Sequence, residues 1–150
     1  MAVKHVTEEW TGPGRGDGVI APLAPQDNAA HLDDHRLAFE HWYFDARLSD
    51  GHVVVGFLQT RELVFRSPGV EIHVYRPDGT RHEVIRRYAE HDVRSSRETF
   101  DVHVGDNHGW FDPSLGEHGG YHVQIAEGDL ALDLQFVGEL PGWRPGRGRT

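Results

Sequence analysis

From Phe39 onward, apolar and polar residues alternate in short runs broken by turn residues, the period-two pattern of half-buried β-strands. In the first run Trp42, Phe44, Ala46 and Leu48 share one face, and His41, Tyr43, Asp45 and Arg47 share the other. Asp50-Gly51 then supplies a hairpin turn, because glycine tolerates the positive φ that tight hairpins require. A second run, His52 to Thr60, is rich in Val, Phe and Leu and reads as more deeply buried. The third sets Val70, Ile72 and Val74 against Glu71, His73 and Tyr75, and Pro77-Asp78-Gly79 ends it. A weaker fourth run places His82, Val84, Arg86 and Tyr88 opposite Glu83, Ile85 and Arg87, which suits an edge strand. Phe100, Val102 and Val104 mark a fifth, and a loop from Gly105 to Gly120 follows. Tyr121, Val123 and Ile125, a turn at Gly128-Asp129, and Leu130, Leu132, Leu134 and Phe136 complete the series. About seven strands joined mostly by hairpin-length turns predict an all-β, antiparallel, up-and-down meander that closes into a barrel or a strongly curved sheet. The connections are too short for a run of parallel crossovers.

The flanks carry no such period. Residues 11–37 are dense in Gly, Pro, Asp, Asn and Ala, so 1–37 reads as an irregular segment lying across the domain like a strap, with the β domain at 38–140 and a flexible tail or linker at 141–150. Arg15-Gly16-Asp17 spells an integrin-binding tripeptide, but a Gly-rich loop produces such a triplet readily by chance.

Length and composition narrow the functions this architecture can carry. A chain of 150 residues suffices for one domain with its own core. A formal net charge of -9 sets repulsion against nucleic acid and anionic membranes, so a neutral or apolar small molecule is the better partner. The absence of cysteine excludes disulfides, zinc-thiolate sites and thiol nucleophiles, and fits the cytoplasm. Met1 to Trp10 lacks the apolar run of an export signal, and no stretch approaches the roughly 20 apolar residues of a membrane span.

Candidate chemistry concentrates in the first strand, where four aromatic or imidazole side chains are flanked by Glu40 and Asp45. It reads either as a core strand with a solvated reverse face or as a pocket wall. In the second reading the apolar side chains shape a ligand while Asp45, Tyr43 or Glu40 handles a proton. A carboxyl group beside aromatic rings loses hydration, which raises its pKa and makes it a usable acid. Twelve histidines raise the question of a metal, but no His-x-His pair occurs. His118 and His122 stand in a loop entering a strand, while His41, His73 and His103 converge only if strand register brings them together. The spacing therefore predicts no metal site. In the long loop, Trp110 and Phe111 either plug one end of a barrel or touch a ligand. No phosphate-binding glycine loop opens a helix, and Ser49, Ser67, Ser95, Ser96 and Ser114 lack a nucleophile-elbow context.

Glu40-His41-Trp42-Tyr43-Phe44-Asp45-Ala46-Arg47-Leu48, followed by Asp50-Gly51-His52, resembles the Glu-x-Trp-Tyr-Phe-Asp signature of the carotenoid hydratase (hydroxyneurosporene synthase) and AttH-type superfamily. Kievitone hydratase and certain cofactor-free Diels-Alderases look like its distant relatives. Val104-Gly105-Asp106-Asn107 and Leu130 to Leu134 running into Pro141-Gly142-Trp143 resemble it less specifically, so the likeness spans roughly residues 38 to 146. The resemblance implies a lipocalin-like β-barrel acting on hydrophobic polyenes, terpenoids or polyketide-like molecules, with no metal or redox cofactor. It also implies two such domains in tandem, with substrate near their junction; the second domain's His, Asp and Asn-rich motif has no counterpart in this chain.

On that reading a carbon-carbon double bond is protonated and water captures the cation, or a polyene is folded for cyclisation. Asp45 is the acid, with Tyr43, His41 and Glu40 as partners, and Trp42, Phe44, Phe57, Trp110 and Tyr121 line the substrate. Strand alternation cannot point Trp42 and Asp45 into the same cavity. Three readings therefore stand open: a hydratase or cyclase half-domain, a non-catalytic carrier, and a structural half that docks a second barrel or a second copy of itself.

Overall fold

A computed structural model describes residues 20–31, 38–61 and 67–145; Arg15-Gly16-Asp17 lies outside them. The described residues are all-β, with two short 3-10 turns, Pro25–Asn28 and Glu90–Asp92, and no α-helix. One antiparallel sheet of four strands is ordered β2 (Glu40–Arg47), β3 (Val53–Arg61), β4 (Gly69–Tyr75), β5 (Arg81–Arg87). A second, of five strands, is ordered β10 (Leu130–Val137), β9 (Gly120–Glu127), β8 (Asn107–Asp112), β7 (Asp101–Val104), β6 (Val93–Ser95). The meander order holds within each sheet, but the sheets do not close into a barrel. Neither β5 with β6 nor β2 with β10 is paired, so the expected all-β antiparallel class holds while the strands form two sheets and not a closed barrel.

The sheets pack face to face on the alternate residues that the period-two pattern assigns inward. Phe44, Val54, Leu58, Val70 and Ile72 come from one sheet and Val102, Val104, Val123 and Ile125 from the other, with Phe100 just ahead of β7. Two glycines make room in the core, Gly56 for a ring of its own sheet and Gly109 for a side chain of the opposite one. A Cβ on Gly56 would strike the Phe44 ring, and one on Gly109 would stand 2.6 Å from Phe100 and 2.8 Å from Leu58. The strands cross at a large angle. The turn before β10 lies by β5, where Asp129 is 3.4 Å from His82, and the end of β10 lies by β2, where Phe136 meets Phe44 at 6.4 Å between ring centroids.

Where the chain passes from β5 to β6, a buried polar knot joins the sheets. Asn107, wholly buried, donates to Val104 O (2.9 Å) and Glu127 Oε1 (2.6 Å) and accepts from Ala126 N (2.9 Å). The Tyr88 hydroxyl donates to Glu127, whose other oxygen lies 3.7 Å from Arg86 Nε. Burial, then the Glu127 carboxylate, pushes the Tyr88 phenol up to about 12, so it stays a donor. Gly105, at φ 60°, gives way to the Tyr88 ring, which a Cβ there would hit.

Three readings of the sequence need correction. The loop expected over 105–120 contains β8, reached by the tight turn Gly105-Asp106, and β6 was not anticipated. The leading and trailing segments are not wholly irregular, because β1 (Ile20–Pro22) pairs with β11 (Trp143–Pro145). The described part of the leading segment does cross the domain: Ala29 and Ala30 are buried, and Ala30 N donates to Ser96 O at 2.8 Å.

Candidate functional site

Because β2 and β10 stay unpaired, the sandwich is open along one side, and a cleft of about 500 Å³ occupies the opening. Its walls are Trp42 and Phe44 from β2, Phe100 from just ahead of β7, Tyr121 and Val123 from β9, and Phe136 from β10. The aromatic rings brace one another: Trp42 lies 5.9 Å from Phe100, and Phe100 lies 5.7 Å from Tyr121. The strap closes one end. Trp42 Nε1 donates to Asn28 O at 2.8 Å, and Asn28 Nδ2 donates to the Tyr121 hydroxyl at 2.5 Å. Burial raises the Tyr121 pKa, and the Asn28 bond opposes that rise without cancelling it. A smaller cavity of about 150 Å³, lined in part by Leu23, Phe111 and His118, shares Asn28, Phe100 and Tyr121 with the cleft.

His41, Tyr43 and Asp45 also border the cleft, although their side chains lie on the outer face of β2. The hairpin explains this. Leu48 N bonds His52 O, and the ladder alternates from there, so Ala46, Phe44 and Trp42 bond to β3. The N–H and C=O groups of His41, Tyr43 and Asp45 consequently turn away from β3, off the edge of the sheet.

The outer face of β2 carries the residues expected to do proton chemistry. Tyr43 is 55% exposed and its hydroxyl donates to Asp45 Oδ2 at 2.7 Å; that bond, followed by burial and the carboxylate charge, raises the phenol pKa. Asp45 is exposed. His41 packs between Phe39 and Phe57, with ring centroids 5.8 and 5.5 Å away, on the same outer face. Glu40 does not line the cleft. Its carboxylate accepts from His31 N at 2.5 Å and from the Thr60 hydroxyl at 3.2 Å, which ties the strap to β3.

Of the residues expected to hold substrate, Trp42, Phe44 and Tyr121 line the cleft and two others do not. Phe57 packs on Tyr43 across the outer face of the four-stranded sheet, at 5.3 Å. Trp110 lies on β8 between His108 and His122, at 4.4 and 4.5 Å, so it neither touches the cleft nor plugs an end. Phe57 falls outside because β3 is interior to its sheet and alternation sends its odd-numbered residues outward. Sequence reasoning missed Phe100, Val123, Phe136 and Asn28 as cleft residues. The first three alternate legibly, but their common destination depends on how two sheets pack. The histidines His41, His73 and His103 do not converge, since the first two belong to one sheet and the third to the other.

No family model, curated protein or solved structure matches this chain.

Proposed function

We propose that this chain binds an elongated, largely apolar small molecule of polyene, terpenoid or polyketide-like character in the cleft between β2 and β10. The observation that carries the reading is the cleft itself, about 500 Å³, walled by Trp42, Phe44, Phe100, Tyr121, Val123 and Phe136. Aromatic walls take up apolar surface, and the strap's polar contacts at one end give the ligand a direction. The likeness to the carotenoid hydratase signature is consistent with the same ligand class.

A hydratase or cyclase needs an acid beside the reacting double bond. Here the carboxylate nearest the cleft, Asp45, stands at its rim with its side chain on the outer face, hydrogen-bonded to Tyr43. That placement favours binding without conversion over catalysis by this chain alone.

Titration with cis-parinaric acid, a fluorescent linear polyene, tests the proposal. The expected result is saturable fluorescence enhancement at one site, weakened at least tenfold in Phe136→Asp, which sets in the cleft a charge of the same sign as the probe's carboxylate, and unchanged in Asp45→Asn. A wild-type protein that gives no saturable signal, or a Phe136→Asp variant of unchanged melting temperature that binds equally well, overturns it. Loss of binding in Asp45→Asn returns the outer face of β2 to the site.

A further inference from the structure

Away from the cleft, the outer face of the five-stranded sheet gathers side chains of a different kind. The turn Gly105-Asp106 makes Val104 and Asn107 partners, so His103 and His108 stand directly opposite each other at the next position. That position is a non-hydrogen-bonded pair, where side chains approach most closely, and the two imidazole rings stack at 3.7 Å with planes 12° apart. Asp101, two residues before His103, points to the same face. One oxygen of its carboxylate, Oδ1, lies 2.9 Å from His108 Nε2 and 3.6 Å from His103 Nε2. Among the described residues this is the only group of three or more such side chains whose donor atoms all lie within 4.8 Å of one another.

We propose that Asp101, His103 and His108 form a site for one divalent transition-metal ion of the zinc or cobalt type. Metal–nitrogen and metal–oxygen bonds of about 2.0 to 2.2 Å in tetrahedral array require donor atoms about 3.3 Å apart, and the two separations at Asp101 bracket that value. Two nitrogens and one carboxylate oxygen are a donor set that suits this class of ion. His108 Nε2 is hydrogen-bonded to Asp101 Oδ1 at 2.9 Å, and His103 Nε2 stands 3.6 Å from the same oxygen, beyond hydrogen-bond reach, so nitrogens from two strands converge on one carboxylate oxygen that only one of them bonds. The backbone is already in place, so binding requires only that the rings tilt from parallel until their lone pairs converge.

The surroundings supply the remaining features of such a site. Beside it an open depression of about 280 Å³ is lined by Arg94, Ser95 and Ser96 together with Asp101 and His103. Three protein ligands leave a coordination position, and this depression admits water or a small anion to it, with the Arg94 guanidinium favouring the anion. The other histidine groupings lack this arrangement. His73 has Glu71 on one ring nitrogen at 2.7 Å and Glu83 on the other at 3.0 Å, so its carboxylates lie on opposite sides of the ring. His122 meets one carboxylate, Asp112, at 3.4 Å.

Calorimetric titration of the tag-free protein with Zn²⁺, and visible spectroscopy with Co²⁺, test the proposal. One ion is expected per chain, with the absorption of low-symmetry Co²⁺ bound through nitrogen. His103→Gln, His108→Gln and Asp101→Asn should each weaken binding at least tenfold with an unchanged circular dichroism spectrum, while His122→Gln should leave it unchanged. Absence of a saturable site in the wild type, or equal affinity in the double variant His103→Gln/His108→Gln, overturns the assignment. Equal loss in His122→Gln overturns the three-ligand set.

Discussion

The two sheets present similar inner faces and outer faces that differ in how their side chains are arranged. Inside, both offer alternating Val, Leu, Ile and Phe that interlock without polar interruption apart from the Asn107 knot. Outside, the four-stranded sheet mixes apolar and charged groups, with Tyr43 beside Phe57 and Ile85 51% exposed, and with His73 between Glu71 at 2.7 Å and Glu83 at 3.0 Å. The five-stranded sheet instead lays His103, His108, Trp110 and His122 in one stacked row, with Asp101 at 2.9 Å from His108 and Asp112 at 3.4 Å from His122. Inner faces answer to each other and must be complementary; outer faces answer to nothing in the fold and are free to diverge in chemistry.

The sharpest way to break the comparison is to strike the shared interior. Leu58, fully buried and close enough to block any Cβ on Gly109, serves both sheets at once. Leu58→Ala should cost about 2–5 kcal/mol in urea unfolding, through lost transfer energy and the cavity it leaves. The polar joint comes next. Asn107→Ala strands the Ala126 N–H and removes a donor from the buried Glu127 carboxylate, so the cost should be about 1–3 kcal/mol, read as a fall in denaturation midpoint.

The smallest effect separates the outer faces by pH. The hydroxyl and N–H of Ser114 hold the half-buried Asp112 carboxyl below its usual 3.8. A carboxylate so depressed stabilises the fold above the unfolded value and loses that contribution as pH falls through the folded one. Melting temperature measured between pH 5 and 2 should therefore fall less steeply in Ser114→Ala than in the wild type, by an amount smaller than either core substitution produces.

How much of this was legible in the sequence depended on distance along the chain. The alternation in 40–48 and 70–75 and the turns at Gly51, Gly79 and Gly128 are local and readable, and the structure places strands and positive-φ glycines there. β8 was missed because Gly109 interrupts its apolar face, and the reason for that glycine, the Phe100 ring and Leu58 pressing on it, comes from elsewhere in the chain. β6 was missed because three residues carry too little pattern. Closure depends on pairings of β5 with β6 and β2 with β10, between ends that no local rule compares. The opposition of His103 and His108 follows from two-residue turn geometry once Gly105-Asp106 is recognised as that turn.

Residues 40–45 drew attention through their side chains, yet the part of His41, Tyr43 and Asp45 that the ladder directs off the sheet edge is backbone. Alanine scanning leaves such groups in place. The segment's main-chain chemistry is reached only by replacing the peptide link, through an ester or a proline. Such a replacement would tell a ligand steered by amide geometry from one held by ring contact alone.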